Sequence, residues 1–487
     1  MTRPPTGVTG PVPDGSRHWK ALGVCLLVGF MSLLDVSIVN VALPSIDRGL
    51  DAGPAELSWV LSGYALTFGL TLIPAGVLGD MWGRRTAFLT GLVSFTVASA
   101  ACGLAPTALT LVLFRLLQGV ASGLIGPQIS GLIQELFTGP ERSRAFGYFG
   151  TTVGLATAVG PLAGGLLIEA AGPADGWRWV FFVNVPIGVL AFALALRLIP
   201  GRAGCGSSQG TLGRRVDGVG VLLLGLGLVA VLLPLIQEQQ WKGPAKWWLI
   251  PLGLALLAAF AAWERRTARG GGVPLVDLAL FRTASYVWGA VLGMLYFAGF
   301  STIFFIFTLY LQNGLGYSAL TAGLAVTPFA AGSAVSAAVG GRLVTTRGRA
   351  LIVGGLALVI AGTGLAALAV HLVPGENAGW ATAGPLLLAG VGSGLVIAPN
   401  LALALAEVPL ARAGTAGGVI QTAQRLGTAI GVACVGAAFF AHLAGTGSWA
   451  GAFQVGVLVA LGFEAAAMAG ALADLRRRRR AAASAPA

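Results

Sequence analysis

Two charged residues lie inside otherwise uncharged stretches of the sequence, where a proton-exchanging group could work. Asp35 interrupts the apolar run 21–43, and Arg115 interrupts the apolar run 108–133. If the two runs cross a membrane as antiparallel helices, a rise of 1.5 Å per residue places both charges about 10–12 Å deep. A carboxylate at that depth is costly unless it is paired, faces water or takes up a proton. We therefore predict that Asp35 is protonatable and pairs with Arg115, directly or through Gln118.

Two interpretations of this pair remain open at the level of the sequence. In a proton-coupled switch, protonation of Asp35 would release the guanidinium of Arg115. In a purely structural role, the same pair would tie two helices together, and Asp35 would be a buried acid hydrogen-bonded between helices.

A second set of charges lies in the segment GVLGDMWGRR at 76–85, between two apolar runs. Its glycines let the backbone reverse tightly, so the segment predicts a turn of about seven residues that includes Gly83. Asp80 and Arg84 are four residues apart and can pair with each other. Asp80 could be a solvated turn charge or part of a contact that changes between conformations.

The fifth apolar run, 145–168, contains a proline among glycines. Pro161 cannot donate a hydrogen bond to the carbonyl of Thr157, so a helix can bend there. Glycines expose backbone for close helix packing, which could serve a conformational switch or ordinary packing. The residues singled out for a switch in this run are Gly160, Pro161, Gly164 and Gly165.

Other polar and aromatic residues within apolar runs are candidates for lining an internal cavity. Arg425 is predicted near mid-depth, where it could line a cavity or bond to a neighbouring helix. Aromatic residues between 296 and 305 could form an adaptable wall or face lipid. Glu464 is predicted nearer the inner end of the last run, where it could pair or extend to the surface. The cavity candidates are Gln118, Tyr296, Phe300, Gln421, Gln424 and Arg425.

The composition indicates a membrane protein. Hydrophobic residues make up 56% of the chain, charged residues only 10%, and the mean hydropathy is +0.84. Soluble domains carry about 25% charged residues, so the chain is predicted to be polytopic. The 74 glycines suit membrane helices that touch through small residues. The 4 cysteines lie singly and form no CxxC pattern, so neither a metal site nor a disulfide is indicated.

Fourteen apolar runs are predicted to cross the membrane as helices, in an all-α fold arranged as six, two and six. The loop GRLVTTRGR at 341–349 repeats the glycine and arginine spacing of 76–84. The two sets of six are therefore predicted to be parallel repeats with a cavity between them. The predicted divisions are a cytoplasmic tail 1–20, a six-helix bundle 21–198, a two-helix insert with its loops 199–284, a six-helix bundle 285–472 and a basic tail 473–487.

The distribution of basic residues predicts the orientation. A net charge of +12 could indicate a nucleic-acid partner, but the positive residues lie in short loops between the apolar runs. Their concentration on one side predicts that both termini are cytoplasmic in a multi-pass protein of the plasma membrane. Of the 30 lysines and arginines, those outside this pattern are Arg48, Arg178, Lys242 and Lys246 in outer loops, and Arg115 and Arg425 within runs.

Five motifs resemble those of one transporter family. GVLGDMWGRR at 76–85 and RLLQGVASG at 115–123 resemble the loop and fourth-span signatures of the major facilitator superfamily. The glycines and proline at 147–165 resemble the fifth-span signature of its exporting antiporters. LDVSIVNVALPSI at 34–46 and GWRWVFFVNVPIG at 176–188 resemble the fourteen-span drug:proton antiporter family within it. The five motifs appear in the family's order and on the matching spans.

This resemblance implies the major facilitator fold and an exporter of amphipathic, in some cases cationic, drugs or antibiotics. It further implies exchange for protons by alternating access, without a cofactor other than the proton gradient. Asp80 is then expected to dock near 414–418, where a helix N-terminus favours an acid. Two positions depart from the family patterns: Met81, where a basic residue is usual, and Ala156, which replaces a glycine. Protons, drug and lipid are the expected partners of a monomer, and nucleic acid is not.

Two other functions remain open. The first is a uniporter or symporter of a small metabolite on the same fold, against which the glycine–proline motif of the fifth run argues. The second is a lipid translocase or a membrane sensor that transports nothing, which proton-coupled flux in vesicles would exclude. The sequence contains no nucleotide-binding loop and no catalytic constellation, so neither ATP-driven transport nor an enzyme is predicted.

Overall fold

The structure is a computed structural model that describes residues 15–172, 174–201, 217–237, 241, 243–270 and 274–483. Most of the predicted N-terminal tail lies outside the described residues, as do the basic-loop residues Arg202, Arg214 and Arg215 and the outer-loop residue Lys242. Nearly all described residues belong to helices, and no strand occurs among them.

The α-helices follow one another with short connections. In chain order they are α1 Gly15–Leu50, α2 Pro54–Trp82, α3 Arg84–Gly103, α4 Ala108–Leu136, α5 Gly139–Ala171, α6 Gly176–Phe182, α7 Asn184–Leu198, α8 Gly218–Ile236, α9 Leu249–Arg269, α10 Ala284–Leu309, α11 Ala319–Arg347, α12 Arg349–Leu372, α13 Ala378–Ala381, α14 Ala383–Leu405, α15 Ala413–Thr446 and α16 Trp449–Ala483.

In the part of the chain that the structure describes, 14 helical segments are long and apolar enough to cross a membrane. The prediction of an all-α fold with fourteen spans is therefore confirmed. One predicted span consists of two helices, α6 and α7, which meet at Val183. Pro186 lies in the first turn of α7 and has no N–H to continue the hydrogen-bond ladder of α6, which accounts for the break.

The turn predicted to take about seven residues is much tighter. Helices α2 and α3 are joined by Gly83 alone, whose φ of +100° favours glycine. Asp80 thus lies in the last turn of α2, and Arg84 begins α3. The loop at 341–349 has the same form, because Gly348, with φ of +52°, alone joins α11 to α12. This agreement supports the internal repeat inferred from the spacing.

Both predicted tails are partly helical. Helix α1 begins at Gly15, and α16 continues through the arginines to Ala483. Arginine and alanine are strong helix formers, and no glycine or proline interrupts α16 after residue 470. The boundaries of the predicted divisions themselves stay predictions.

Helices α1 to α7 pack on one another and form what we call the first bundle, and α10 to α16 form the second bundle. The two bundles touch mainly where α5 packs on α11 and where α2 packs on α15. Small residues permit this approach: a Cβ on Gly147 would lie 2.9 Å from the Ala337 carbonyl oxygen and from the Gly341 Cα.

Helices α8 and α9 pack on each other, and α8 also lies against α2 and α15. The side-chain amide of Gln237 donates to the Ser62 hydroxyl at 3.0 Å, which fixes the end of α8 to α2. These two helices therefore flank the line along which the bundles meet.

Candidate functional site

The ion pair predicted from the sequence is present in the centre of the first bundle. The Arg115 Nη1 atom lies 2.7 Å from Asp35 Oδ2, and both side chains are at most 1% exposed. Gln118 donates to Asp35 Oδ1 at 2.9 Å and accepts a hydrogen bond from Arg115 at 2.8 Å. The contact is direct, and Gln118 closes a ring of three side chains.

Arg115 makes further contacts that hold its guanidinium in place. Its Nε donates to the Val60 carbonyl at 3.1 Å, which links α4 to α2. The Tyr64 ring lies 4.1 Å from its guanidinium carbon, and a ring face attracts a cation. An arginine with a carboxylate, an amide, a carbonyl and a ring around it is well compensated for burial.

Two residues of this site were missed by the sequence interpretation. Asn184 donates to Asp35 Oδ1 and to the Ser99 hydroxyl, both at 3.1 Å. Ser99 donates in turn to the Phe181 carbonyl at 2.9 Å. The signal for Asn184 was available, because it lies in the motif GWRWVFFVNVPIG and would be a buried amide one residue after the break in a membrane span. Asp35 therefore accepts from three side chains on two helices, α4 and α7.

The expected contact of Asp80 with the start of the later span is also present. Asp80 accepts hydrogen bonds from the backbone N–H of Gly414 at 3.0 Å and of Thr415 at 2.9 Å. It also accepts from the Thr415 hydroxyl at 2.9 Å. These donors form the N-terminus of α15, where a carboxylate is favoured by the orphan N–H groups and the helix dipole.

Arg84 completes this contact. It lies 3.4 Å from Asp80 and donates to the Gly131 carbonyl at 2.7 Å and to the Leu410 carbonyl. It also pairs with Glu135 at 3.1 Å. These four partners belong to α2, α4 and the segment before α15. Asp80 and Arg84 are thus both bound across the junction of the two bundles, and Asp80 is not a solvated turn charge.

The residues singled out in α5 face different partners. A Cβ on Gly160 would lie 2.6 Å from the Ser37 Cβ, and one on Gly164 would lie 3.0 Å from Ile38 Cγ1, so both glycines pack on α1. Nothing lies within 4 Å of a Cβ placed on Gly165. Pro161 lies opposite Gly323 on α11. Gly160 and Gly164 therefore serve packing inside the first bundle, and Pro161 borders the second.

The cavity candidates divide into three groups. Gln118 is fully buried in the ion-pair network. Tyr296 is 1% exposed and packs inside the second bundle, where its ring stacks on Phe300 at 5.3 Å. Gln421 lies at the junction of the bundles and donates to the Ser130 hydroxyl at 3.4 Å. The Gln424 side chain lies beside Gly293 of α10, within the second bundle.

Arg425 lies half-buried at the junction, with its guanidinium carbon 4.5 Å from the centroid of the Phe68 ring. Within the described part of the chain it forms no ion pair. Of the polar candidates, Gln421 and Arg425 are the two that the structure places between the bundles.

The prediction that Glu464 pairs or extends to the surface was wrong. The side chain lies fully buried near the middle of α16, neither paired nor extended toward the surface. Glu407, predicted in a loop, does lie in the turn after α14. No group of three or more histidine, cysteine, aspartate or glutamate side chains that could hold a metal ion occurs among the described residues.

Fourteen apolar helical segments in two bundles, with a buried ion pair in the first bundle and a helix-terminus contact between the two, are the plan of a multi-pass membrane protein. The model of the Major Facilitator Superfamily matches residues 25–432. A probable actinorhodin transporter of Streptomyces coelicolor is 36% identical over 91% of this chain and 78% of its own length. A puromycin resistance protein of Streptomyces alboniger is 37% identical over 87% of this chain and 82% of its own length.

Among solved structures, a proton:xylose symporter of the same superfamily superposes with a TM-score of 0.65 at 14% identity. The match covers 93% of this chain and 95% of that chain, which shows a shared fold. The chain belongs to the Major Facilitator Superfamily, which makes it a membrane transporter and not an enzyme. Several of the relatives that match it are named as antibiotic or multidrug transporters or resistance proteins.

Proposed function

We propose that this protein exports an amphipathic antibiotic in exchange for protons, by alternating access between its two bundles. The observation that carries the proposal is the buried set of Asp35, Arg115, Gln118 and Asn184. An acid with one guanidinium partner inside a membrane protein can exchange that partner for a proton, because either arrangement leaves no uncompensated charge on the carboxyl group. The names of the relatives supply the substrate class.

The proton step follows from the geometry around Asp35. In the described conformation its oxygens accept from Arg115, Gln118 and Asn184, on α4 and α7. A proton on Oδ2 would remove the charge that holds Arg115 and would turn that oxygen into a donor. The guanidinium would then keep the Val60 carbonyl and the Tyr64 ring, both on α2, as its main partners. Protonation would thus weaken the contact between α4 and α1 and leave the contacts of Arg115 with α2 in place.

The alternating step would occur where the bundles touch. Asp80 and Arg84 hold the end of α2 to the start of α15, and their contacts must break for this end to open. Glycines along α5 and α11 let the two helices slide or rock without side chains that interlock. We place this end on the cytoplasmic side, with both termini, because the basic loops lie there. The described conformation would then be closed toward the cytoplasm.

The charge at the junction also bears on the substrate. Asp35 is shielded and paired, so it offers nothing to a cationic drug in this conformation. Arg425 lies between the bundles, where its guanidinium packs on the face of the Phe68 ring. We therefore propose a neutral or anionic amphipathic antibiotic in preference to a cationic one. Gln421 would add hydrogen bonds, as few polar groups in a mostly apolar site usually do.

Everted membrane vesicles from an efflux-deficient host would test this function. Vesicles that contain the protein should release protons when an antibiotic exported by close relatives is added, and empty vesicles should not. A susceptibility panel in the same host would identify which antibiotic to use. Drug transport at a rate independent of the proton gradient would favour a uniporter. The absence of any drug or proton flux would favour a lipid translocase or a sensor.

Reporter fusions would test the orientation separately. Fusions after residues 52, 175 and 376 should report the outside, and fusions after 206, 270 and 482 should report the cytoplasm. If the fusions at 206 and 270 fell on opposite sides, the two helices between the bundles would not both cross the membrane.

A further inference from the structure

The second bundle contains a buried carboxyl group that the ion-pair site does not use. Glu464 is completely shielded and lies about 22 Å along α16 from Trp449, near mid-membrane. Neither of its oxygens makes a hydrogen bond or an ion pair with the described residues. The nearest acid on the same helix toward its C-terminus, Asp474, is already paired with Arg349 at 2.9 Å.

The surroundings of Glu464 are polar but uncharged. Thr363 of α12 faces it, with a buried hydroxyl that meets no partner at hydrogen-bond geometry. Tyr296 of α10 is the titratable group nearby, and its hydroxyl is likewise buried, unpaired and close to Ser393 of α14. No cation of the described residues lies against the carboxyl group from α10, α12, α15 or α16. Glu464 therefore has buried hydroxyl groups near it and no counter-cation among the described residues.

The bundle is shaped to hold this carboxyl group. A Cβ on Gly299 of α10 would lie 2.8 Å from the Glu464 Cγ and 2.9 Å from the Ala460 carbonyl oxygen. Only glycine leaves room for the side chain to enter between α10 and α16. The arrangement is thus a built pocket for an acid and not the chance burial of a surface residue.

The helices around Glu464 also correspond to the helices that form the ion-pair site in the first bundle. The matching turns at Gly83 and Gly348 pair α3 with α12, and chain order then pairs α1 with α10, α4 with α14 and α7 with α16. The Asp35 site draws its side chains from α1, α3, α4 and α7. The Glu464 site draws on α10, α12, α14 and α16, the equivalent four, but no arginine of the described residues balances its charge.

An ionised carboxylate that has only neutral hydroxyl groups near it, and no counter-cation among the described residues, is very costly in such a place, whereas a neutral carboxylic acid is not. We propose that Glu464 carries a proton in this conformation and is a second proton-binding site of the transporter. The O–H bond would break when the opposite conformation admits water to the second bundle. The proton would pass to that water and leave a hydrated carboxylate, which is reprotonated on return. The number of protons per cycle then becomes two, and this count rests on the proposed function.

The held proton can be measured without transport. The infrared spectrum of the purified protein at neutral pH should contain a carbonyl band of a protonated carboxyl group that disappears in Glu464→Gln and remains in Glu407→Gln. Glu407 is a matched control because its carboxyl group lies exposed in a loop. A wild-type spectrum that lacks the band would mean an ionised Glu464 and would overturn the proposal.

Because Glu464→Gln alters a buried site, its fold should be checked by thermal unfolding. If that variant does not fold, Gly299→Ala provides a second route, since the added methyl group must displace the carboxyl group and shift the same band. An unshifted band in folded Gly299→Ala protein would assign the band to another acid and would overturn the proposal.

The transported proton is measured in proteoliposomes as the ratio of protons released to drug moved. This ratio should fall two-fold in Glu464→Gln and stay unchanged in Glu407→Gln. An unchanged ratio in Glu464→Gln would show that the proton on Glu464 is never exchanged, and the second site would be rejected. If wild-type protein moved drug without protons, the proposed antiport would fail, while the infrared band would still report on Glu464.

Discussion

Tyr64 and Phe68 lie one turn apart on α2 with their rings parallel to within 3° and their centroids 6.1 Å apart. The Tyr64 face is covered by Arg115 from the buried ion pair, at 4.1 Å. The Phe68 face is covered by Arg425 from the second bundle, at 4.5 Å. The ring pair therefore joins the proposed proton site to the junction of the bundles, where a substrate would bind.

This relationship predicts that Phe68 transmits the protonation state of Asp35 to the junction. Phe68→Leu keeps most of the volume but removes the ring face, which is worth about 0.5–2 kcal/mol to a nearby cation. Drug binding by purified protein should weaken several-fold and lose part of its pH dependence. Phe281→Leu is the control, because that ring is 45% exposed and packs on Tyr286 and not on a cation of the described residues.

A double-mutant cycle would separate coupling from simple loss of contact. Tyr64→Leu and Arg425→Gln should be non-additive in drug affinity, since both act through the same ring pair. Additive effects would mean that the two arginines respond independently, and the ring pair would then be ordinary packing.

A second prediction concerns the contact between α2 and α15. Asp80→Asn keeps the size of the side chain but loses the charge that attracts the N-terminus of α15 and Arg84. Charged hydrogen bonds contribute about 1.5–3 kcal/mol each, so the closed junction should lose at least one such contribution. Transport should fall at least ten-fold while expression stays near wild type. Equal transport rates in the variant and the wild type would mean that Asp80 has only a structural role.

A third prediction uses the glycines of α5. Gly147→Ala places a methyl group 2.9 Å from backbone atoms of α11, which cannot move aside as a side chain could. The closed conformation should become less populated and transport slower, because overpacking costs about 1–3 kcal/mol. Gly165→Ala is the matched control on the same helix, because its methyl group meets open space. Cysteine cross-linking across the junction would measure how often it is closed, and an effect of equal size in both variants would indicate a general loss of stability.

The sequence predicted the features that depend on composition and spacing. Fourteen spans follow from apolar length, and the Asp35–Arg115 pair follows from two charges at one depth. The full set of side chains around Asp35 was not predicted. Asn184 is a neutral amide, which attracts less notice in an apolar run than a charged residue does, although its hydrogen bond to Asp35 is part of the buried site. The burial of the Glu464 side chain was missed for a related reason. Its position along α16 was readable, but which face of the helix turns inward depends on the glycine at 299 of another helix.

The aromatic candidates also show that a sequence does not reveal what a helix face contacts. Tyr296 and Phe300 lie on one face of α10, as their spacing of four residues indicates. The sequence does not say whether that face meets lipid, a cavity or other helices. The structure turns Tyr296 into the second bundle, beside Leu356 and Val396, because α12 and α14 present apolar residues there.

The last prediction concerns the coupling of drug to protons at Asp35. Asp35→Asn fixes the group in a neutral form that can still accept from Arg115 through its amide oxygen. The Asp35 proton should then be missing from the exchange, so proton release per drug molecule should fall at least two-fold, and to zero if this site gates the cycle. Arg115→Lys keeps the positive charge but loses the planar fork that reaches Asp35, Gln118 and the Val60 carbonyl together. It should shift the pH dependence of transport without abolishing drug binding.

Removing one member of a buried pair typically costs about 3–5 kcal/mol, so each variant must be compared at equal amounts of folded protein. Asp35→Glu serves as the control, because it keeps a titrating group and should retain part of the coupled transport. If the pair were only structural, the variants would lose folded protein, and proton release per folded molecule would match the wild type. Wild-type coupling in folded Asp35→Asn protein would therefore remove Asp35 from the mechanism and leave Glu464 as the acid that couples drug export to the proton gradient.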